Sequence, residues 1–358
     1  MSKIKNTIYL RSRNLRTILK AILKKQPISR TELARVLGVN VSTISQILNP
    51  LIDKGILRAQ SSNVATGGRP SKLLSISPES FYSVSIDLSG YIVKLGLVNM
   101  ALNICQSEVV EISSKTLISD LEKIALSVET MINSCEKSGG NILGTCIAVS
   151  GVINNAGRVQ TSIIEGLENI RIKDFFASRF SKPVLIENDS NLSAIGEFME
   201  IRENIQNLFY VHLGRGIGGG IVFDQNVYKG ENGFSGEIGK MLYSPSKFLT
   251  VGELYESIFP KLRSNEVNHE IIQILEQLLF FIVLNVRSLL DVSHFAIGGR
   301  YAAYIPNEIL INIEKKVRKY FYGMETYIVK SSASEDTILK GAAEFTFEKF
   351  IENQLIFD

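Results

Sequence analysis

The sequence predicts an α/β protein in which a small, strongly basic helical module precedes a larger body of alternating strands and helices. Three observations carry that prediction. Residues 1–80 hold 14 Lys and Arg against 3 acids, a net of +11, whereas the rest of the chain holds 25 basic and 33 acidic residues, a net of −8. Apolar residues follow the three-and-four helical spacing before residue 55 and form strand-like runs after residue 80. At 358 residues the chain exceeds one ordinary core and suits two or three domains.

The charge asymmetry gives the first module a polyanionic partner: nucleic acid, an anionic membrane or an acidic protein. In that module Leu15, Ile18, Leu19, Ile22 and Leu23 mark one face of a first helix, which Pro27 stops. A compact second helix covers Thr31–Leu37, with Ser29 as cap, Glu32 at its third position, Leu33, Ala34 and Leu37 inward, and Gly38 at its end. After the turn Gly38-Val39-Asn40 a third helix begins near Val41. Ile44, Ile47, Leu48 and Leu51 form its apolar face, and Ser42, Thr43, Ser45, Gln46 and Asn49 its polar one. Such side chains bond base edges or phosphates without filling a groove. Strands at Ile56–Ala59 and Ser71–Ile76 flank a polar turn containing Gly67-Gly68-Arg69-Pro70, so that Arg69 sits at the tip of a wing and Lys72 at its base. Three helices and a wing make a winged helix-turn-helix. A basic surface on an unrelated small domain is the plainer alternative.

Composition narrows the remaining classes. Apolar residues at 45% and charged residues at 21% describe a globular chain. The longest apolar run, Leu278–Leu284, is far shorter than the roughly 20 residues of a membrane span, and Glu276, Arg287 and Asp291 bracket it; a buried helix and no membrane partner are expected. Lys3, Lys5, Arg11, Arg13 and Arg16 interrupt the amino terminus, which lacks the pattern of a secretory signal, so a cytoplasmic location is expected. Cys105, Cys135 and Cys146 have no paired metal spacing and are too few for a disulfide framework. His212 and His294, in apolar strands, and His269, near a helix start, read as structural.

Past Pro78 the body begins with paired strands, Phe81–Leu88 and Ile92–Asn99, a helix at Leu117–Glu136 and a strand at Leu143–Val149. The run Leu213–Gly220 contains GxGxxG at Gly214, Gly216 and Gly219. It is flanked by strands on both sides, and a dinucleotide-binding turn would need a helix after it. A hairpin is therefore expected.

The run from Thr31 to Leu57, with the GGRPSKLLSI wing, resembles the amino-terminal winged helix of the ROK family of repressors, open reading frames and kinases; the likeness continues from residue 81 nearly to the carboxyl terminus. It implies a two-lobed, actin-like (ribonuclease H-like) sugar-kinase fold. Asp87-Leu88-Ser89-Gly90-Tyr91 resembles the family's DIGGT phosphate hairpin, but Ser89 and Tyr91 crowd the cradle and argue against ATP. Asn188 and Asp189 match the pair that holds sugar hydroxyls, Asp189 being the vestigial catalytic candidate; a cap for the following helix is its structural alternative. The hairpin with Gly214 and Gly216 resembles the second phosphate loop, with Arg215 in place of Thr, able to bind phosphate or to pair with Asp87. Gly298 and Gly299 resemble the adenosine-side turn, and Gly341-Ala342-Ala343 the closing helix.

Glu237 resembles the sugar-contacting Glu of the family's GExGH signature, in which Lys240 replaces the His. Glu253 resembles the Glu of LExYxS, but lies only 13 positions after Lys240, so the zinc-binding cysteine loop is missing and neither zinc nor another cofactor is expected. SIIEGLEN at Ser162–Asn169 departs from the family's SPN and GW segment. Lys240 either adds a cation for an acidic or phosphorylated sugar or neutralises Glu237.

The domains expected are 1–78, the winged helix-turn-helix; 79–187, a small lobe onto which the helix at 340–358 packs back; and 188–339, a large lobe with sugar-binding and oligomerisation surfaces. The function implied is that of a homodimeric or homotetrameric transcription regulator, a repressor of carbohydrate-metabolism genes that binds a double-stranded operator and a sugar or sugar-phosphate effector. The alternative is an active ATP-dependent sugar kinase that also carries a DNA-binding domain.

Overall fold

A computed structural model describes residues 15, 17–61, 72–154, 157–201, 205–331 and 336–354. The first helix, α1 (residues 17–25), is followed by β1 (Ile28–Ser29), α2 (Arg30–Leu37), α3 (Val41–Asp53), β2 (Leu57–Ser61) and β3 (Lys72–Ile76). Local signals set these ends: Ser29 Oγ accepts from the Glu32 backbone N–H at 3.1 Å, and Gly38 closes α2 at φ 65°, a conformation glycine adopts without a Cβ penalty. Leu33, Ile44, Leu48 and Leu51 are buried, whereas Leu37 and Ile47 are half-buried. The two wing strands pair from Leu57↔Ile76 to Ser61↔Lys72, and β1 adds a third strand that the sequence does not announce. Gly67, Gly68 and Arg69 lie outside the described residues.

The body contains two five-stranded sheets of one design. The first comprises β4 (Tyr82–Leu88), β5 (Ile92–Asn99), β6 (Ile104–Glu111), β7 (Ile142–Val149) and β8 (Val184–Asn188), with α4 (Leu117–Lys137) and α5 (Ile172–Ala177) between them; its order is β6-β5-β4-β7-β8. Then α6 (Asp189–Glu200) leads to β9 (Leu208–Leu213), β10 (Ile217–Phe223) and β11 (Asn226–Val227). A short hairpin, β12 (Leu242–Ser244) and β13 (Leu249–Thr250), precedes α7 (Val251–Arg263), α8 (His269–Leu290), β14 (His294–Gly298), α9 (Asn307–Tyr320), β15 (Tyr327–Lys330) and α10 (Thr337–Gln354). The second sheet runs β11-β10-β9-β14-β15. In each sheet an antiparallel meander is extended by two parallel strands. The expected hairpin is thus present as β9–β10, with Ile217 opposite Leu213. By length and composition α8 could cross a membrane, yet Leu275, Leu278, Leu279, Ile282 and Val283 pack into the core of the second lobe.

Two helices exchange places between the lobes. The helix that leaves the first sheet, α6, lies on β9 and β10 of the second, and the closing α10 lies on β4, β5 and β7 of the first. They cross where neither has a side chain: a Cβ on Gly341 would lie 1.8 Å from Leu192 O, and one on Gly196 2.2 Å from Thr337 O.

The basic module docks on the far ends of these helices. Leu15, Ile18, Leu19 and Ile22 of the first helical segment share one apolar cluster with Phe198 and Met199 of α6, Phe347 of α10 and Met100. Lys24 Nζ sits 3.9 Å from the Phe198 ring centroid, and burial, followed by the repulsion of Lys20, lowers its pKa to about 8 against an attraction from Glu344. A lysine whose folded pKa lies below its unfolded value costs stability while charged, and that cost is relieved as pH rises from about 8 toward 10.5. Lys24→Met is therefore expected to raise the melting temperature at pH 7, by a margin that shrinks when the comparison is repeated near pH 10. A margin independent of pH would contradict this account.

Candidate functional site

On α3 the residues Ser42, Thr43, Gln46 and Asn49 are exposed and Ser45 half-buried. Positions 42, 43, 46 and 49 fall on one helical face opposite Ile44, Leu48 and Leu51. Ser45 Oγ is turned back onto Val41 O at 2.9 Å, and Arg30 Nη2 donates to Asn49 Oδ1 at 3.2 Å. Ser42, Thr43 and Gln46 are left as the outward polar groups, and Lys72 is exposed at the base of the wing.

In the body, the candidate sugar contacts converge on β10. The amino terminus of α6 lies directly against it: a Cβ on Gly218 would be 2.6 Å from Ser190 Oγ, and one on Gly220 2.2 Å from Ser190 O. Gly218 and Gly220 are thus needed for helix packing, independently of any phosphate. From the other side Gly219 N donates to Gly236 O at 2.8 Å, which places Glu237 beside the strand, and Gly239 abuts Gly252, which brings up Glu253. A segment of the first lobe closes the group: Asn188 Nδ2 donates to Gly151 O at 2.9 Å, and a Cβ on Gly233 would lie 2.6 Å from Ile153 O. Beside it lies an open cleft of about 400 Å³ lined by Gln160, Thr161, Ser162, Ile163, Glu165 and Glu168.

The individual roles differ from a simple pocket lining. The cap of α6 is Asn188, whose Oδ1 accepts from Asn191 N at 3.0 Å; the capping alternative considered for Asp189 falls one residue too late. Asp189 is buried, and its Oδ1 accepts from Ser190 N at 2.8 Å, which leaves Oδ2 outside that bond. Lys240 Nζ is 3.2 Å from Glu237 Oε2 and 4.9 Å from the Phe234 ring centroid, so it neutralises its neighbour. Glu253 is exposed and takes part in a capping box, accepting from Thr250 N at 2.7 Å; these bonds lower its pKa.

Glu187 has a part that the motif alone did not suggest. Its buried carboxylate accepts from Asn188 N at 2.9 Å and Asn191 Nδ2 at 3.0 Å, and pairs with Lys229 of the second lobe. A single Glu between the apolar run Val184-Leu185-Ile186 and Asn188 was the available signal.

The residues that the resemblance assigns to the nucleotide side bond to the protein's own groups. Asp87 is buried, and burial raises its pKa; bonding to Ser89 opposes the shift, the Asp189 charge adds to it and His212 opposes it. Arg215, at the β9–β10 tip, does not form the suggested pair with Asp87. Its Nη1 donates to Ile163 O at 3.2 Å across the lobes, and its guanidinium lies 6.0 Å from the Tyr91 ring centroid. The Tyr91 hydroxyl accepts from Glu165 N at 3.4 Å. Tyr255 Oη donates to Gly214 O at 2.8 Å, which fixes the hairpin base, whereas Gly216 is open at its tip. Gly298 and Gly299 pack on β9, where Cβ atoms would meet Tyr210 Oη at 2.0 Å and Leu213 O at 2.6 Å. This cradle does not fit a triphosphate. Nor do the residues fit zinc: the cysteines lie in the first lobe, on β6, α4 and β7, and no group of three metal-ligating side chains is assembled among the described residues.

Residues 83–251 match the ROK family model, and residues 11–58 match a winged helix-turn-helix DNA-binding model. The chain is 32% identical over 239 residues to the xylose repressor of Staphylococcus xylosus, a match covering 65% of this chain and 61% of that protein. It is 29% identical over 244 residues to the xylose repressor of Bacillus spizizenii, covering 66% and 62%. The crystal structure of a ROK family transcriptional regulator, a homologue of the E. coli Mlc protein, superposes with a TM-score of 0.72 at 18% identity over 97% of this chain and 98% of that one. The ROK hexokinase of Thermus thermophilus gives 0.62 at 18% identity over 75% and 98%. At such identities the two structures establish the fold: a helix-turn-helix region followed by a two-lobed actin-like body.

Proposed function

From the premise that this chain is a ROK-family homologue with an amino-terminal winged helix-turn-helix, we propose that it is a sugar-responsive transcriptional repressor acting in the cytoplasm. The observation that carries the reading is that an exposed polar α3 on a basic module is docked on a kinase-like body whose phosphate cradle is crossed by Arg215 and Tyr91. In a homodimer or a pair of dimers, two copies of α3 would meet half-sites about 34–36 Å apart, with Lys72 and Arg69 on the flanking backbone. Ser42, Thr43 and Gln46 supply base contacts, while Asn188, Asp189, Glu237 and Glu253 surround the effector.

A neutral sugar suits this pocket better than a phosphorylated one, because Lys240 is already paired with Glu237; the named relatives point to a pentose. The test titrates full-length protein onto duplex DNA from its own upstream region, by fluorescence anisotropy, with and without D-xylose, D-glucose and their phosphates. Salt-dependent binding shifted at least tenfold by a neutral sugar is the expected result. No preference for duplex DNA over a control polyanion would overturn the regulator reading, and a response confined to the phosphates would overturn the neutral effector.

One observation favours kinase activity, the buried Asp189 with an oxygen outside its local bond. Sugar-dependent ADP formation that disappears in Asp189→Asn would support it.

A further inference from the structure

The contact between the basic module and the body holds a buried lysine, Lys20, whose two partners belong to different lobes. Lys20 Nζ donates to Gln225 O at 2.8 Å and forms an ion pair with Glu348. Gln225 lies in the β10–β11 turn, in left-handed conformation, and is tied to the second lobe by bonds of 2.9 Å from its backbone N–H to Gln206 O and from its side chain to Gln206 Oε1. Glu348 is on α10, which rides on the first sheet. A buried ammonium needs both partners, since losing one leaves a desolvated charge or carboxylate without compensation. The lobes therefore cannot shear at the α6/α10 crossing without disturbing α1.

We infer that Lys20 is the positioning residue that links lobe separation to the orientation of the DNA-binding module. This rests on the regulator reading for its purpose, though not for its geometry. Arg215 supplies an independent handle on lobe separation, because its bond to Ile163 O joins the second lobe to the first without involving Lys20, Gln225 or Glu348.

The experiment is a double-mutant cycle on the full chain, with no sugar required, read by hydrogen–deuterium exchange of the amides of residues 17–25. Arg215→Ala is expected to speed that exchange about threefold, and Lys20→Met about tenfold. In the Lys20→Met background the Arg215→Ala change is expected to add nothing, because the link it acts through is gone. Lys20→Arg, which can keep both partners, should restore at least part of the Arg215 effect, a rescue that mere loss of packing would not give. If Lys20→Met does not fold, Glu348→Gln replaces it and should abolish the Arg215 effect in the same way. The inference is overturned if Arg215→Ala leaves exchange in α1 unchanged, or if the two effects multiply. Duplex-DNA binding measured on the same proteins separates the outcomes: an intact cycle without DNA binding would overturn the regulator reading and leave the link standing.

Discussion

Gln46→Glu is expected to lower affinity for duplex DNA about 100-fold, the largest functional effect of any single change on α3. Gln46 is exposed at the centre of the outward face, between Thr43 and Asn49. Its neighbours are partly committed, since Ser45 bonds Val41 O and Asn49 is held by Arg30. A glutamine amide can pair with the N6 and N7 edge of adenine, a contact worth about 1–3 kcal/mol. Glutamate has the same size and nearly the same helix propensity. The substitution therefore spares the fold while placing a carboxylate among phosphates, adding repulsion to the lost contact. Gln46→Ala should cost only about tenfold, because it removes the contact and adds no charge. Anisotropy at fixed salt separates the cases, with circular dichroism as the check on folding. Equal binding by wild type and Gln46→Glu would show that α3 does not enter the groove.

What could be read from the residues follows from where each structural cause lies. The ends of α2 are written locally, in Ser29, Glu32 and Gly38, and the apolar face of α3 is a spacing, so both were legible within a residue or so. The β9–β10 hairpin was legible because strand-like residues flank its glycines on both sides. By contrast, β1 is two residues whose reason to be extended is Leu73 and Leu74 on another strand, and no local signal marks it. The third strand of the first sheet, β6, carries exposed polar residues along most of its length, which hides its alternation.

At the site, residue identities were legible and competing uses were not. Asn188 and Glu253 have the right chemistry for a sugar, yet each also terminates a helix, a role that appears only when the donor N–H groups of Asn191 and Thr250 are in place. Arg215 was recognisable as an intruder in a phosphate loop, but its partner was not: Ile163 lies 52 positions away, and a backbone carbonyl leaves no trace in the sequence. The work of Lys20 is invisible for the same reason, since Gln225 is 205 residues distant and also offers a carbonyl.

Gly341→Ala is expected to be the most destabilising single methyl group in the body. On helix propensity alone the change should help, because alanine is favoured over glycine in a helix interior by about 1 kcal/mol. Packing reverses the sign. The added Cβ would lie 1.8 Å from Leu192 O and 3.0 Å from Gly196 N, both backbone atoms of α6, so no rotamer can move aside and the two helices must separate. Separation would uncover Ala342, Leu192 and Ile338, which form one small apolar cluster with Cys146 and Ala148. Against a typical domain stability of 5–15 kcal/mol, a net loss of about 3 kcal/mol is expected, and Gly341→Val should fail to fold. Gly216→Ala is the control, since a Cβ there meets nothing within 4 Å and should leave the urea midpoint unchanged. Because α6 carries Asn188 and Asp189 at one end and meets the DNA-binding module at the other, a Gly341→Ala protein that still folds should bind both sugar and DNA while responding weakly to one through the other. A Gly341→Ala urea midpoint equal to that of wild type would mean that the crossing has slack, and with slack a rigid pivot between the lobes could not exist.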